Sequence, residues 1–354
     1  MPRAPAFPLV LDLGTHNMRL LKLRSASAGE IDLQKLAVID SPREFAVSTY
    51  IESPIMDPQA VEEALKGLLK NVKAGFENAL VLLPDHSALI NLMVGPARYS
   101  RKEQEEAVKE DMTPIMPLPP ELWHIVFESI GRWEEDEITL ALATIKSNLL
   151  EIGGLVQKAG FNPQTVDVNF FNVSNLIEHY LTDEGNRGKN IALVHLGHET
   201  TSIGVFKDGA LRSFLNRPIG SFDFTKQISK HFHVPESEAE HFKRTEIFFL
   251  PEPSPEQDET YNYTVIKSVF AALLREIFSV LEAYLTKFRE FSIQEVVISG
   301  GGSNFQNISV ILSSNLNAPV RQVGELYRLT TDGAEVGIPE KNALAAACGA
   351  FLRG

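Results

Sequence analysis

At 354 residues with 44% hydrophobic side chains, the chain is long enough for about two domains with substantial cores. Its formal net charge of −13 argues against nucleic acid or anionic lipid as a direct partner, since both are bound through clustered Lys and Arg. The single cysteine, Cys348 in the apolar run 343–351, excludes a disulfide framework and fits a reducing cytoplasm; no run of about 18 apolar residues spans a membrane, and a strand beginning near residue 9 leaves no room for a signal peptide.

In chain order, the first element is a strand, a glycine turn and a second strand: Leu9-Val10-Leu11-Asp12-Leu13-Gly14-Thr15-His16-Asn17-Met18-Arg19-Leu20-Leu21-Lys22-Leu23. Such a turn lets backbone N–H groups and short polar side chains approach an anion closely. Gly14, Thr15, His16 and Asn17 are therefore candidate phosphate donors, with an ordinary hairpin turn as the plain alternative. Asp12 interrupts an apolar strand and needs a partner if buried. A metal-bound water or a protonated donor would supply one; a local Asx turn is the other reading. A strand at 31–39 follows, then a helix over 58–75 with Val61, Leu65, Leu68, Leu69 and Val72 at helical spacing, then a buried strand at 79–83 stopped by Pro84.

The pattern changes from His86. A strand at 87–94 precedes Ser100-x-x-Glu103, a capping-box signature opening a charged helix that reaches Met112, where a proline cluster stops it. Strands at 123–130 and 138–145, a helix at 147–159 and a strand at 164–168 complete a β-α-β-β-α-β insert over 86–168. The acidic run 134–137 reads as a solvated hairpin tip. A helix at 170–181 and the polar hinge 182–190 lead into the second half.

That half opens on a second hairpin, Ile191-Ala192-Leu193-Val194-His195-Leu196-Gly197-His198-Glu199-Thr200-Thr201-Ser202-Ile203-Gly204-Val205-Phe206. Gly197, Thr200 and Thr201 are its candidate phosphate contacts, and Glu199 is a lesser carboxylate candidate. Two turns of one kind suggest a duplicated scaffold holding phosphates between its halves. Helices at 224–232 and 236–245, a Pro/acid-rich loop at 250–260 and a long helix at 265–288 follow. The apolar strand Glu295-Val296-Val297-Ile298-Ser299 then runs into Gly300-Gly301-Gly302-Ser303-Asn304 and a helix at 307–316, a ready anion or ribose site. Neither G-x-G-x-x-G nor G-x-x-x-x-G-K-[ST] occurs there, which sets aside the dinucleotide and P-loop readings. A tight turn alone would need one glycine, not three.

The order of these three segments resembles the actin/Hsp70/sugar-kinase ATPase superfamily. Over nearly the whole chain it is similar to one family within it, the PilM proteins of bacterial type IV pilus assembly, relatives of FtsA. The resemblance rests on Asp12-Leu13-Gly14-Thr15, Leu82-Leu83-Pro84-Asp85, the glutamate-rich helix ending at Met112 and Ile115-Met116-Pro117-Leu118-Pro119. It continues in Ala159-Gly160-Phe161-x-Pro163-x-x-Val166-Asp167, Pro218-Ile219-Gly220-Ser221-Phe222-Asp223-Phe224-Thr225 and Glu238-Ala239-Glu240-x-x-Lys243. It implies an α/β fold with two similar halves around a nucleotide cleft and an FtsA-like subdomain inserted in the first. The expected division is 1–85 with 169–185, the insert 86–168, and 186–354 with a nucleotide-lining part near 222–290.

The resemblance further implies ATP or ADP with Mg²⁺, the metal reached from Asp12 through water. Glu240, Lys243, Gly300, Gly301 and Gly302 would surround ribose and base, with Gly220 and Asn304 as further cofactor-binding residues, although Glu240 and Lys243, three apart on a helix, also read as a surface ion pair. One departure matters: His195 stands where the family pattern has an aspartate. A neutral imidazole fills a metal- and water-orienting role poorly, so binding with weak or absent hydrolysis is expected. The implied role is a cytoplasmic scaffold at the inner membrane, docking an N-terminal cytoplasmic segment of a PilN-like membrane protein in a groove between the insert and the first-half sheet. A dimer or FtsA-like filament, or a sugar-kinase-like phosphotransferase, is the alternative; the FtsA basic amphipathic C-terminal helix is not found in the closing run 346–354, and no acceptor-activating carboxylate is evident.

Overall fold

The computed structural model describes residues 7–42, 45, 50–53, 55–96, 100–247, 249 and 263–353; the whole of the loop expected at 250–260 lies outside them. Three strands, β1 (Leu9–Leu13), β2 (Asn17–Ser27) and β3 (Glu30–Asp40), form an antiparallel meander. Helix α1 (Pro58–Val72) follows, started by Asp57, whose Oδ1 accepts from Gln59 N at 2.9 Å and Ala60 N at 3.2 Å. It ends at Lys73 in the left-handed region and buries Val61, Leu65, Leu68 and Val72 on one face. Strand β4 (Asn78–Leu83) then pairs parallel with β1.

The insert consists of β5 (Leu89–Pro96), α2 (Arg101–Met112), β6 (Trp123–Trp133) and β7 (Asp136–Ile145), in a sheet ordered β5-β7-β6. The capping box is present: Glu103 N donates to Ser100 Oγ and Ser100 N to Glu103 Oε2. Its small core centres on Met112, Trp123, Ala141 and Ala143.

The expected end of the insert at Val168 is corrected by the next two elements, α3 (Lys146–Lys158) and β8 (Asn162–Val168). β8 pairs parallel along β4, and Ile152, Leu155 and Val156 of α3 share a core with α1 and β1. Both elements therefore belong to the first half, because β4 supplies the backbone partner and α1 the apolar face that they require. Helix α4 (Asn169–Thr182) leaves that sheet for the second half.

There, β9 (Asn190–Leu196), β10 (Thr201–Lys207), β11 (Ala210–Arg217), α5 (Ser221–Phe232), α6 (Glu236–Thr245) and α7 (Tyr263–Phe288) are followed by β12 (Glu295–Ser299), α8 (Ile308–Leu316) and β13 (Val320–Gln322). The order β11-β10-β9-β12-β13 repeats β3-β2-β1-β4-β8 with the same parallel and antiparallel senses. A second correction concerns 186–354: β14 (Arg328–Thr331) and β15 (Ala334–Glu335) return to the first sheet, where β14 runs parallel to β3.

The last helix, α9 (Ile338–Ala350), packs against α4 between the two sheets. The core there is continuous: Val10 and Leu80 come from one sheet, Leu193 and Val297 from the other, Leu176 and Ala347 from the helices. Contact is closest at Gly349, where a Cβ would stand 1.7 Å from Asn172 O, so the two helices meet backbone to backbone. Cys348 is buried in this core, where burial pushes its thiol up to about 12.

Candidate functional site

Because the halves repeat, the β1–β2 and β9–β10 turns occupy equivalent positions and face one another across a cavity of about 490 Å³. Gly14, Thr15, His16 and Asn17 line one side; Gly197, His198, Glu199 and Thr200 line the other. The turn tips touch: His16 and His198 stack at 4.7 Å between ring centroids, and Phe222 stacks on His198 at the same separation. Both turns need their glycine, since a Cβ would stand 2.7 Å from Asn17 O at Gly14 and 2.9 Å from Thr200 O at Gly197.

The floor holds Asp12, Arg19, Asp85 and His195. The partner that Asp12 required is Arg19, whose Nη1 donates to Asp12 Oδ2 at 2.7 Å; Asp12 Oδ1 is buried with no partner among the described residues. Arg19 was missed in the sequence although the signal was there: around a turn at 14–16, hairpin register sets residue 19 opposite residue 12. His195 is buried, its Nδ1 lies 2.9 Å from Ser299 Oγ, and burial lowers its pKa against the pull of Asp85 and Asp12. It is neutral at pH 7.

Asp85, on the short turn Asp85–Ser87 after β4, was also missed as a site residue. Its Oδ1 accepts from Phe170 N at 2.8 Å and its Oδ2 from Ser202 Oγ at 2.5 Å, tying the first half to the second. The adjacent His86 lies 3.3 Å from Thr200 Oγ1 and 3.5 Å from the Glu199 carboxylate.

Helix α6 brings Glu240, Lys243 and Arg244 to the cavity. Lys243 is buried, with Nζ 2.6 Å from Glu240 Oε2, 2.9 Å from Thr225 Oγ1 and 3.1 Å from Ser221 O, so the surface ion pair is set aside. Burial would push the Glu240 carboxyl up, but Lys243, Thr225 and Arg244 outweigh it and hold it at about 2.

On the remaining wall, no atom of the described residues, its chain neighbours aside, lies within 4 Å of where a Cβ on Gly301 would stand. Gly300 (φ +85°) and Gly302 are instead demanded by packing, as a Cβ on either would come within 2.4 Å of Leu196. The three-glycine run thus combines one open position with two close approaches. Gly301 and Gly302 open a short turn of their own, Gly301–Asn304, so α8 begins only at Ile308 and its N-terminus does not follow the glycines directly.

Four expected contacts are placed differently. Thr201 Oγ1 donates to Ile219 O at 2.6 Å and Thr201 is fully buried, because β10 begins there and its side chain turns away from the cavity. Gly220 packs against the second turn, with a would-be Cβ 2.3 Å from His198 O, and does not line the cavity. The Asn17 carboxamide donates to Asp40 Oδ1 at 2.9 Å, and that of Asn304 to Pro339 O at 2.8 Å. Asn17 and Asn304 line the cavity, each with its carboxamide nitrogen already bonded within the protein.

The open glycine turns, Gly301 and the cations Arg19, Lys243 and Arg244 fit a phosphorylated nucleoside. They do not fit a protein-ligated metal ion: among the described residues, no group of three His, Cys, Asp or Glu could hold one. What remains is Asp12 Oδ1, able to accept from a water on a phosphate-bound ion.

A second cavity, about 760 Å³, lies between the insert, β8, α4 and the β10–β11 hairpin. Val126, Phe127, Leu140, Leu142, Phe171 and Leu211 make it mainly apolar, and Asp167, ion-paired with Arg353, sits at its side. The insert closes it by reaching the second half, where Trp133 packs edge-on against Phe288 and Arg212 donates to Arg132 O.

A family profile described as type IV pilus assembly protein PilM matches residues 10–354. The cell division protein FtsA of Borreliella burgdorferi is 22% identical over 255 residues, 63% of this chain and 60% of that protein; the chain therefore spans under two thirds of that relative. Among solved structures, the PilM-PilN type IV pilus biogenesis complex superposes with a TM-score of 0.81 at 20% identity, covering 99% of this chain and 98% of that one. MreB5 of Spiroplasma citri bound to AMPPNP gives 0.51 at 10% identity, covering 96% and 93%.

Proposed function

The chain belongs to the PilM family of type IV pilus assembly proteins and has the actin-like ATPase fold, and from that premise we propose a nucleotide-holding scaffold that docks a short segment of a membrane partner. The observation that carries the nucleotide reading is the meeting of Gly14 and Gly197, distant in sequence, in one cavity with Gly301 and Lys243. ATP or ADP places its phosphates between the two turns and its nucleoside toward Gly301 and the Glu240–Lys243 pair. Asp12 Oδ1 would accept from a water of a phosphate-borne Mg²⁺, which would supply charge neutralisation. His195 contributes no charge, so hydrolysis is slow or absent. The phosphotransferase reading loses ground because Asp85, a buried carboxylate on the floor, has a donor on each oxygen.

The apolar groove beside the insert suits a short extended segment, and the PilM-PilN complex among the structural relatives supports a PilN-like inner-membrane protein as its source. The protein is then cytoplasmic and held at the inner membrane through that partner. A thermal-shift titration with ATP and ADP, with and without Mg²⁺, tests the first reading; no stabilisation by either nucleotide rejects it. Calorimetry with N-terminal peptides of the host's pilus membrane proteins tests the second. No peptide binding, together with filaments in ATP, would favour the polymer.

A further inference from the structure

We infer that Asn342 is a positioning residue for the nucleoside-facing loop 300–304, which it holds from behind through a brace of three carboxamides. This deepens the nucleotide reading and rests on it. Asn342 lies in α9, is fully buried and does not line the cleft. Its backbone carbonyl accepts from Gly300 N at 3.1 Å, which anchors the start of the loop. Its Nδ2 donates to Asn304 Oδ1 at 2.9 Å, which anchors the end, and to Gln322 Oε1 at 3.1 Å. Gln322 Nε2 passes the support on to Ser303 O at 3.3 Å.

The brace has one sense only. Asn342 Oδ1 accepts from Gly324 N at 2.8 Å, and inverting the carboxamide would set its NH₂ group against that N–H. The Asn304 oxygen therefore faces Asn342, and its nitrogen faces Pro339 O. Buried carboxamides satisfied in this way form a stiff network, and losing one member leaves several polar groups unpaired. Gly301, the loop's open position, projects toward the cavity from this support. Supporting residues of this kind fix the groups that touch a ligand without touching it themselves.

The test is a double-mutant cycle on ADP binding, read by calorimetry on the full chain. Asn342→Ala and Asn304→Ala each weaken ADP by roughly tenfold, the scale of lost supporting contacts. The double variant is no weaker than either single one, because both changes cut the same brace. Amide exchange supplies the second readout: Asn342→Ala speeds exchange at 301–304 while the second half of α9 stays protected. ADP affinity within twofold of the unaltered protein, fully additive losses, or exchange raised along the whole of α9 would each overturn the assignment and leave nucleotide binding intact. Absence of ADP binding by the unaltered protein would remove both.

Discussion

An imidazole at position 195 is consistent with the charge already on the cleft floor. Asp12 and Asp85 both act on it, and a third carboxylate there would share a low-dielectric site with them. His195→Asp is therefore expected to destabilise the ligand-free protein by about 1–3 kcal/mol. Mg²⁺ with ATP should recover more of that loss than it adds to the unaltered protein, and ATP turnover should rise from its slow baseline. Paired melting curves and a phosphate-release assay check this; rapid turnover by the unaltered protein, not raised by aspartate, would mean that position 195 has been misread. The stacked pair His16 and His198 carries a pH signature. Burial lowers both, His198 to about 4, against an unfolded value of 6.5. The unfolded chain then binds protons that the folded one refuses, so stability is full above pH 6.5 and falls as pH drops toward 4. Unfolding at pH 7 and pH 4.5 should show a smaller loss for His198→Phe, which keeps a ring in the stack.

The glycines of the second half separate folding from binding. Gly349→Ala forces a methyl into the backbone contact between α4 and α9 and should cost about 3 kcal/mol or more in urea unfolding. Gly302→Ala, pressed on Leu196, should likewise weaken the fold. Gly301→Ala has open space, so its melting temperature should stay near that of the unaltered protein while ADP affinity falls. This division was invisible in the run Gly300-Gly301-Gly302, because which glycine is crowded depends on where Leu196 of another strand lies. The hairpins, α1 and α2 were legible since their signals are local: alternation, helical spacing, a capping box. The insert's far boundary was not, as β8 reads the same whether it pairs with β7 or with β4, and only the distant free edge of β4 decides. Thr200 and Thr201 were equally indistinguishable, because one step of register exchanges the faces of a strand. Arg19, in contrast, was within reach of hairpin register.

Across the whole molecule, the two cavities are neighbours. The turn Asp85–Ser87 gives its Asp85 and His86 to the cleft and its Ser87 to the apolar groove, where Thr144 of β7 donates to Ser87 O at 3.2 Å. The start of α4 does the same, with Asn169 on the cleft side and Phe171 on the groove side. Asp85, bonded to Phe170 N and to Ser202, fastens these two segments to the second half. A ligand that shifts this partition for one cavity reshapes the other, and thermodynamic linkage makes the effect reciprocal. The expected outcome is a factor of about 5 or more, of either sign, by which saturating peptide changes ADP affinity, with ADP changing peptide affinity by that same factor. Calorimetric titrations in both orders measure it, and Asp85→Asn should shrink both factors together. Equal affinities with and without the second ligand would mean that the partition is rigid. A scaffold built this way would report, through how firmly it grips its membrane partner, whether nucleotide is present, with no bond in the nucleotide having to break.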